Sequence, residues 1–269
     1  MPLQYLTASA FWRELVLSVG PGVLIPRPET ELMIDFVQEA VAASPQLAEG
    51  QWVDLGTGSG ALAIGLAQAL PVAAAVWAVD VDEAPLAYAA FNARRLGLVG
   101  RVHTLRGCWY EPLAGVGVGP GQLAGILSNP PYIGTEDLPG LQAEVGRHEP
   151  MLALDGGGGL AVDSLVPICA GAVRLLQRGG LLALETGGGE QAMYIADVLR
   201  HLRGSAGTGT ASWQDGNGWA SGAPSLDAVG AWSSDGEEAA ALDEQPAFTD
   251  VQVRKDLFGV ARFVTATRA

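Results

Sequence analysis

Cysteine and lysine are nearly missing from this chain, which has two of the first, Cys108 and Cys169, and one of the second, Lys255. The cysteines have neither the close spacing of a metal site nor the density of a disulfide framework. That usage fits a reducing compartment and argues against a secreted fold. Arginine stands where lysine is missing, so the deficit reads as genome-composition bias without functional weight. Positive charge is scarce altogether, with 15 Lys and Arg against 29 Asp and Glu and a formal net charge of -14. Such a surface repels phosphate backbones and argues against nucleic acid as the main partner, whereas it would steer a basic protein inward. Nor is there an apolar run approaching the roughly 20 residues of a membrane span. The N-terminal residues lack the Arg-rich, acid-poor pattern of an organellar presequence. A soluble chain is expected, and the sequence does not distinguish a bacterial cytoplasm from an organelle. His103, His148 and His201 show no ligand spacing, so no metal site is expected.

What is present is enough apolar residue for one large domain, 49% of 269. Short apolar runs alternate with amphipathic stretches, the pattern of an α/β fold with a mostly parallel sheet. The predicted strands are Gln51–Leu55, Ala75–Asp80, Val102–Arg106, Gly125–Ser128 and Gly180–Glu185, followed by Phe248–Arg254 and Ala261–Thr267 as an antiparallel hairpin around Gly259. The predicted helices are Glu31–Ala43, capped by Thr30, then Ala61–Leu70, Glu83–Leu96, Asp163–Leu176 and Gln191–Leu202. Leu3–Tyr5 and Phe11–Val19 read as a small β element, so residues 1–25 form a hairpin or linker and 26–269 the main domain. Residues 204–247 break the pattern. They are rich in Gly, Ala and Ser, hold seven acidic residues and no Lys or Arg, and read as a disordered insertion. Trp213, Trp219 and Trp232 within it keep a binding role open.

Asp54-Leu55-Gly56-Thr57-Gly58-Ser59-Gly60 follows a predicted strand and opens a helix, where glycines let the backbone turn tightly and approach a ligand. Alone, such a turn is also a plain strand–helix connection. The next strand ends at Asp80, placed to accept hydrogen bonds from ribose hydroxyls, and the pair favours an adenosine ligand. Dinucleotide folds run G-x-G-x-x-G to seat a pyrophosphate at a helix start. Here the glycines alternate as G-x-G-x-G behind Asp54, which would repel pyrophosphate and suits the cationic methionyl part of S-adenosylmethionine. Methyl transfer is therefore favoured over hydride transfer.

Ser128-Asn129-Pro130-Pro131-Tyr132 follows the fourth strand, at the sheet edge where α/β folds bind ligands. A planar nitrogen attacks a methyl sulfonium only when its lone pair is freed and aimed. The Asn129 side-chain oxygen can accept one N–H and the Pro130 carbonyl the other, while the diproline stiffens the loop and Tyr132 can stack on the planar group. Catalysis would then be mostly positioning, worth about 7–11 kcal/mol in well-aligned systems. The plainer alternative is a rigid turn. Glutamine and adenine remain open as acceptors, and so does a cofactor-binding protein without turnover.

With these residues placed, the chain resembles the protein-(glutamine-N5) methyltransferases that modify peptide chain release factors. Beyond the glycine loop and Asn-Pro-Pro-Tyr, the likeness runs through Pro2–Tyr5, Val23–Glu31, Glu149-Pro150 with Ala153-Leu154 and Gly156-Gly157, and Leu182–Glu185. Ile25-Pro26-Arg27-Pro28-Glu29-Thr30-Glu31 is the discriminating stretch, although Pro28 and Glu31 also suit a mere helix start. The resemblance implies a Rossmann-like class I fold with a seven-stranded sheet, S-adenosylmethionine as cofactor, and a class I release factor as protein substrate. It places the cofactor against Asp54, Gly56, Thr57, Gly58, Ser59, Gly60, Asp80, Trp109 and Asn129. It places the substrate glutamine against Asn129, Pro130, Pro131 and Tyr132, walled by Arg27, Pro28 and Glu29. Two departures stand out. Cys108 replaces an acidic residue usual before the aromatic, Trp109, and the helical N-terminal domain usual in the family is missing from the sequence.

Overall fold

A computed structural model describes residues 1–71, 75–203 and 245–269. The strands β3 (Gln51–Leu55), β4 (Ala75–Asp80) and β5 (Val102–Arg106) alternate with helices α3 (Ala61–Ala69) and α4 (Glu83–Arg95). Next come β6 (Leu123–Ser128), α6 (Leu165–Leu175), β7 (Leu176–Glu185), α7 (Gly189–His201), β8 (Phe248–Lys255) and β9 (Ala261–Arg268). Seven strands form one sheet in the order β5-β4-β3-β6-β7-β9-β8. Pairing is parallel from β5 to β7 and antiparallel at β7–β9 and β8–β9. The chain order reverses direction across the sheet between β3 and β6. In open α/β sheets such a switch point opens a crevice at the carboxyl ends of the strands, and both sequence motifs leave from it.

Alternation along β3 divides the core. Trp52 points to one face with Trp12, Met33, Ile34, Ile64 and Phe263, beneath α3 and α2 (Leu32–Ala43). Val53 and Leu55 point to the other, with Ile126, Leu165, Ile168, Ala192 and Ile195 under α6 and α7. Covering both faces is what a parallel sheet requires, because its strands carry apolar side chains on both sides.

The N-terminal residues differ in part from expectation. Leu3–Leu6 is one helical turn, α1, and not a strand; only β1 (Ser9–Trp12) and β2 (Leu15–Ser18) pair, antiparallel. Pro2 sets the extended entry to the turn, and of the four helical residues Tyr5 alone is buried, so its spacing from Leu3 reflected no sheet face. This hairpin is fastened to the domain. The Tyr5 hydroxyl donates to the Val23 carbonyl at 2.6 Å, the Trp12 indole donates to the Arg27 carbonyl at 3.1 Å, and buried Asn92 on α4 joins Ser18 to Ser59. Thr30 does not cap α2. A 3-10 turn, Glu29–Glu31, leads into that helix without a side-chain cap, and the Thr30 hydroxyl is engaged elsewhere. Of the predicted insertion, positions 204–244 lie outside the described residues. Its last residues belong to the fold: Pro246 bridges to Arg203, and Ala247 is buried.

Candidate active site

The glycine loop is shaped by its backbone angles. Gly56, Gly58 and Gly60 have φ of 76°, 54° and 86°, a region that costs an L side chain energy and glycine little, so the alternation G-x-G-x-G is the sequence form of this turn. Gly56 and Thr57 donate to the Val79 carbonyl, both at 2.9 Å, and Gly58 donates to the Asp80 carboxylate at 3.0 Å. Loop and second acid are thereby one unit.

Asp54 is fully buried at the start of this loop. One carboxylate oxygen accepts from the Thr57 hydroxyl at 2.7 Å and from the Ala63 amide at 3.1 Å, while Oδ1 has no partner among the described residues. Burial pushes its acid up to about 7 against those two hydrogen bonds, with Asp80 adding to the rise. A buried acceptor without a donor is costly, and Asp54 is among the residues around a cavity of about 320 Å³. Asp80, Asp82 and Asp155 line the same cavity, against Arg27 as its cation. Desolvation also raises the Asp80 acid. The lining thus suits a ligand bearing positive charge and hydroxyl groups better than a pyrophosphate. This set of acceptors fits S-adenosylmethionine.

The cavity also brings in Thr57, Gly58, Ser59, Trp109, Asn129 and Pro131. Trp109 holds a φ of 45° and lies against Gly56. Cys108 lines the cavity beside it, its thiol pushed up by burial and by Glu111, whose carboxylate accepts from the Cys108 amide at 3.2 Å.

At the carboxyl end of β6 the Asn129 Nδ2 donates to the Thr30 hydroxyl at 3.1 Å, and Thr30 donates to Glu185 Oε2 at 2.6 Å. The Tyr132 hydroxyl donates to the other oxygen, Oε1, at 3.1 Å. Thr30 and Glu185 are both buried. Burial raises the Glu185 acid to about 7, opposed by Thr30, Tyr132 and Arg262 and assisted by Glu29. A hydroxyl has one proton to give. While Glu185 is ionised Thr30 gives it there, so the atom of Asn129 facing Thr30 must be its NH₂, and Oδ1 is left to accept from a ligand.

The proline-rich wall is held from behind. Arg27 Nη2 lies 2.9 Å from both oxygens of buried Glu149, which also accepts from the Ile25 amide at 3.3 Å.

A family model described as the methyltransferase small domain matches residues 29–145. The chain is 49% identical over 204 residues to a release factor glutamine methyltransferase of Gloeobacter violaceus, covering 76% of this chain and 68% of the relative. It is 46% identical over 202 residues to one of Synechocystis, covering 74% and 65%. The chain belongs to the release factor glutamine methyltransferase family. It spans about two thirds of the length of these relatives. A solved structure of a putative rRNA methylase from Clostridium thermocellum shares the fold at a TM-score of 0.50, with 13% identity over 91% of this chain and 100% of the other.

Five residues that the family pattern assigns to ligands do not line this cavity. Gly60 is not in the cavity wall; it starts α3, and a Cβ there would meet Ala89 at 3.1 Å, so the glycine serves helix packing. Pro28 is exposed, and neither it nor Glu29 lines the cavity, because the 3-10 turn faces them away while it brings Arg27 and Thr30 in. Pro130 is buried in the loop, and Tyr132 turns toward Glu185 and a second concavity. Thr30 and Glu185 were missed as partners of Asn129. In the sequence Thr30 reads as a helix cap and Glu185 as an acid that ends a strand near the site and orients a loop, and both belong to the stretches Ile25–Glu31 and Leu182–Glu185.

Proposed function

We propose that this chain transfers a methyl group from S-adenosylmethionine to the side-chain amide nitrogen of a glutamine, in the Gly-Gly-Gln motif of a class I peptide chain release factor. The observation that carries the reading is the fixed Asn129 amide beside an acidic cavity: its NH₂ is committed to Thr30 and its oxygen is left as an acceptor. When bound, the cofactor supplies an electrophilic methyl group on a sulfonium. Asp54 Oδ1 would take the donor of a cationic amine, and Asp80 would accept from ribose hydroxyls. The Asn129 oxygen and the Pro130 carbonyl would accept the two hydrogens of the substrate amide, turning its nitrogen lone pair out of conjugation and toward the methyl carbon. No strong base is required, since the nitrogen becomes acidic once alkylated and loses its proton after the methyl arrives. Family relatives named for release factor glutamine methylation support the substrate.

The test is transfer of labelled methyl to a release factor carrying Gly-Gly-Gln. Label is expected on that factor and absent when the glutamine is replaced. Equal labelling of the glutamine-less factor, or labelling of DNA instead, would overturn the reading. Asn129→Ala is expected to keep cofactor affinity and to lower kcat by about 10²–10³-fold, as for other preorganised acceptors and donors.

A further inference from the structure

On the far side of Tyr132 lies a second concavity of about 340 Å³, walled by Gly134, Gly159, Leu160, Gly187 and Gly188, with Asp137 and Arg262 as its charged residues. Its walls come from three loops fastened to each other. The two N–H groups of the buried Gln191 amide are shared among the carbonyls of Tyr132, Leu160 and Ala161, 3.2, 2.6 and 3.0 Å from Nε2, and its oxygen accepts from Gly187 at 2.7 Å. The floor is therefore preorganised, and glycines at four of its positions leave backbone open to a ligand.

Arg262 is held just as firmly. Its Nε donates to buried Asp256 at 2.9 Å, and Asp256 also accepts from the Phe258 and Val260 amides at 2.9 Å, closing the β8–β9 turn. Its two Nη atoms have no hydrogen-bond partner among the described residues. At the tip of that turn Leu257 and Phe258 are each 81% exposed. A fixed guanidinium fork among glycine walls offers oriented donors at a surface that another backbone can approach closely, and two exposed apolar side chains stand at the tip of the turn that Arg262 braces.

We infer that this concavity is a subsite for the main chain of the protein substrate on either side of the methylated glutamine, with the Arg262 fork donating to its carbonyl oxygens. This rests on the function proposed above. An extended backbone matches the site's chemistry, since it offers acceptors to Arg262 and donors to Asp137 and the loop carbonyls. A small anion would meet Asp137 and the field of a chain with net charge -14, and an apolar side chain would desolvate Arg262 without pairing it. Continuity is through Tyr132, which lines the concavity while its hydroxyl reaches Glu185, the partner of Thr30 and so of Asn129.

Two measurements test this on the full chain, with wild-type transfer to the release factor as reference. Arg262→Met is expected to raise the KM for the release factor about tenfold or more, the loss of a charge-assisted hydrogen bond, while cofactor Kd stays put. Because Arg262 also braces its turn, a second probe leaves it in place: Leu160→p-benzoylphenylalanine is expected to photo-crosslink to substrate residues adjoining the glutamine, including in a factor whose glutamine is replaced. If the wild type methylates but crosslinks map elsewhere or are absent, and Arg262→Met leaves KM unchanged, the subsite is wrong and the function stands. If the wild type does not label the release factor, both fall.

Discussion

Thr30→Val isolates the relay behind Asn129, because valine keeps the shape of threonine and removes the hydroxyl that links Asn129 to buried Glu185. In the wild type that hydroxyl accepts from Asn129 Nδ2 at 3.1 Å and donates to Glu185 at 2.6 Å. The substitution strips Glu185, 1% exposed, of one of its two side-chain donors. Leaving a buried acceptor short of a partner costs about 1–3 kcal/mol. The acid can recover part of that by taking up a proton, so a loss near the lower end is expected. The effect on rate should be larger than the effect on stability suggests. Without Thr30 the Asn129 amide can rotate and present NH₂ to a substrate N–H, and misplacement on that scale costs up to about 10²-fold. Single-turnover methyl transfer, a cofactor titration and thermal unfolding on one preparation separate the contributions. The expected outcome is a fall in kcat of about 10–100-fold with cofactor Kd unchanged, and Thr30→Ser should restore most of it. A kcat within about threefold of wild type in a folded Thr30→Val protein would refute the idea that Thr30 orients Asn129.

Acidity should act in opposite senses on stability and on rate. Glu185 rises from 4.5 to about 7 on folding and Asp54 from 3.8 to about 7, so the folded chain holds these protons more tightly than the unfolded one. Their contribution to stability is full below the unfolded values and is lost as pH climbs through about 7. Denaturant titrations should show stability declining over that window, with a shallower decline in Glu185→Gln, and an unchanged slope would count against the assignment. Catalysis should favour the ionised form, because a protonated Glu185 can donate to Thr30 and let Thr30 donate to a flipped Asn129. The expected kcat profile has an acid limb near 7 that is absent from Glu185→Gln. In the core, Gly125→Ala would put a Cβ 2.1 Å from the ring of fully buried Trp52. Overpacking of this kind should cost about 1–3 kcal/mol or more, seen as a lower denaturation midpoint, and an unshifted midpoint would show that Trp52 can move.

The sequence was most informative where cause and consequence are neighbours. Predicted strands 51–55, 75–80 and 102–106 coincide with β3, β4 and β5, because each is a short apolar run bounded by turn residues. The predicted starts at Gly125 and Gly180 came late. β6 and β7 begin at Leu123 and Leu176, and the pairing between them shifts register between Leu123 and Gly125. Glycines inside a strand there look like its edge. The glycine loop with Asp80 was legible for the same local reason, as was Asn129 behind a strand. Thr30 was not. Read locally, a Thr before an apolar helix is a cap, but its partner is 155 positions away on β7, and no spacing rule reports a contact of that range. Tyr132 followed from its motif in identity but not in direction, which Glu185 decides.

The placement of β9 between β7 and β8 has a consequence for how the molecule acquires its chemistry. The glycine loop and α3 depend on contacts of short and middle range, such as Gly60 with Thr57 and Gly58 with Asp80, 22 positions on, so this half of the cavity can be made early. The other half waits on a long loop closure: Thr30 must meet β7, and the β8–β9 hairpin must dock with its later strand innermost before Arg262 arrives beside Tyr132. Contacts of high sequence separation form slowly, and regions resting on them open first when the fold relaxes. The order of assembly therefore separates two competences in time, holding a nucleoside and acting on an amide. The second exists only while both ends of the described chain are in place.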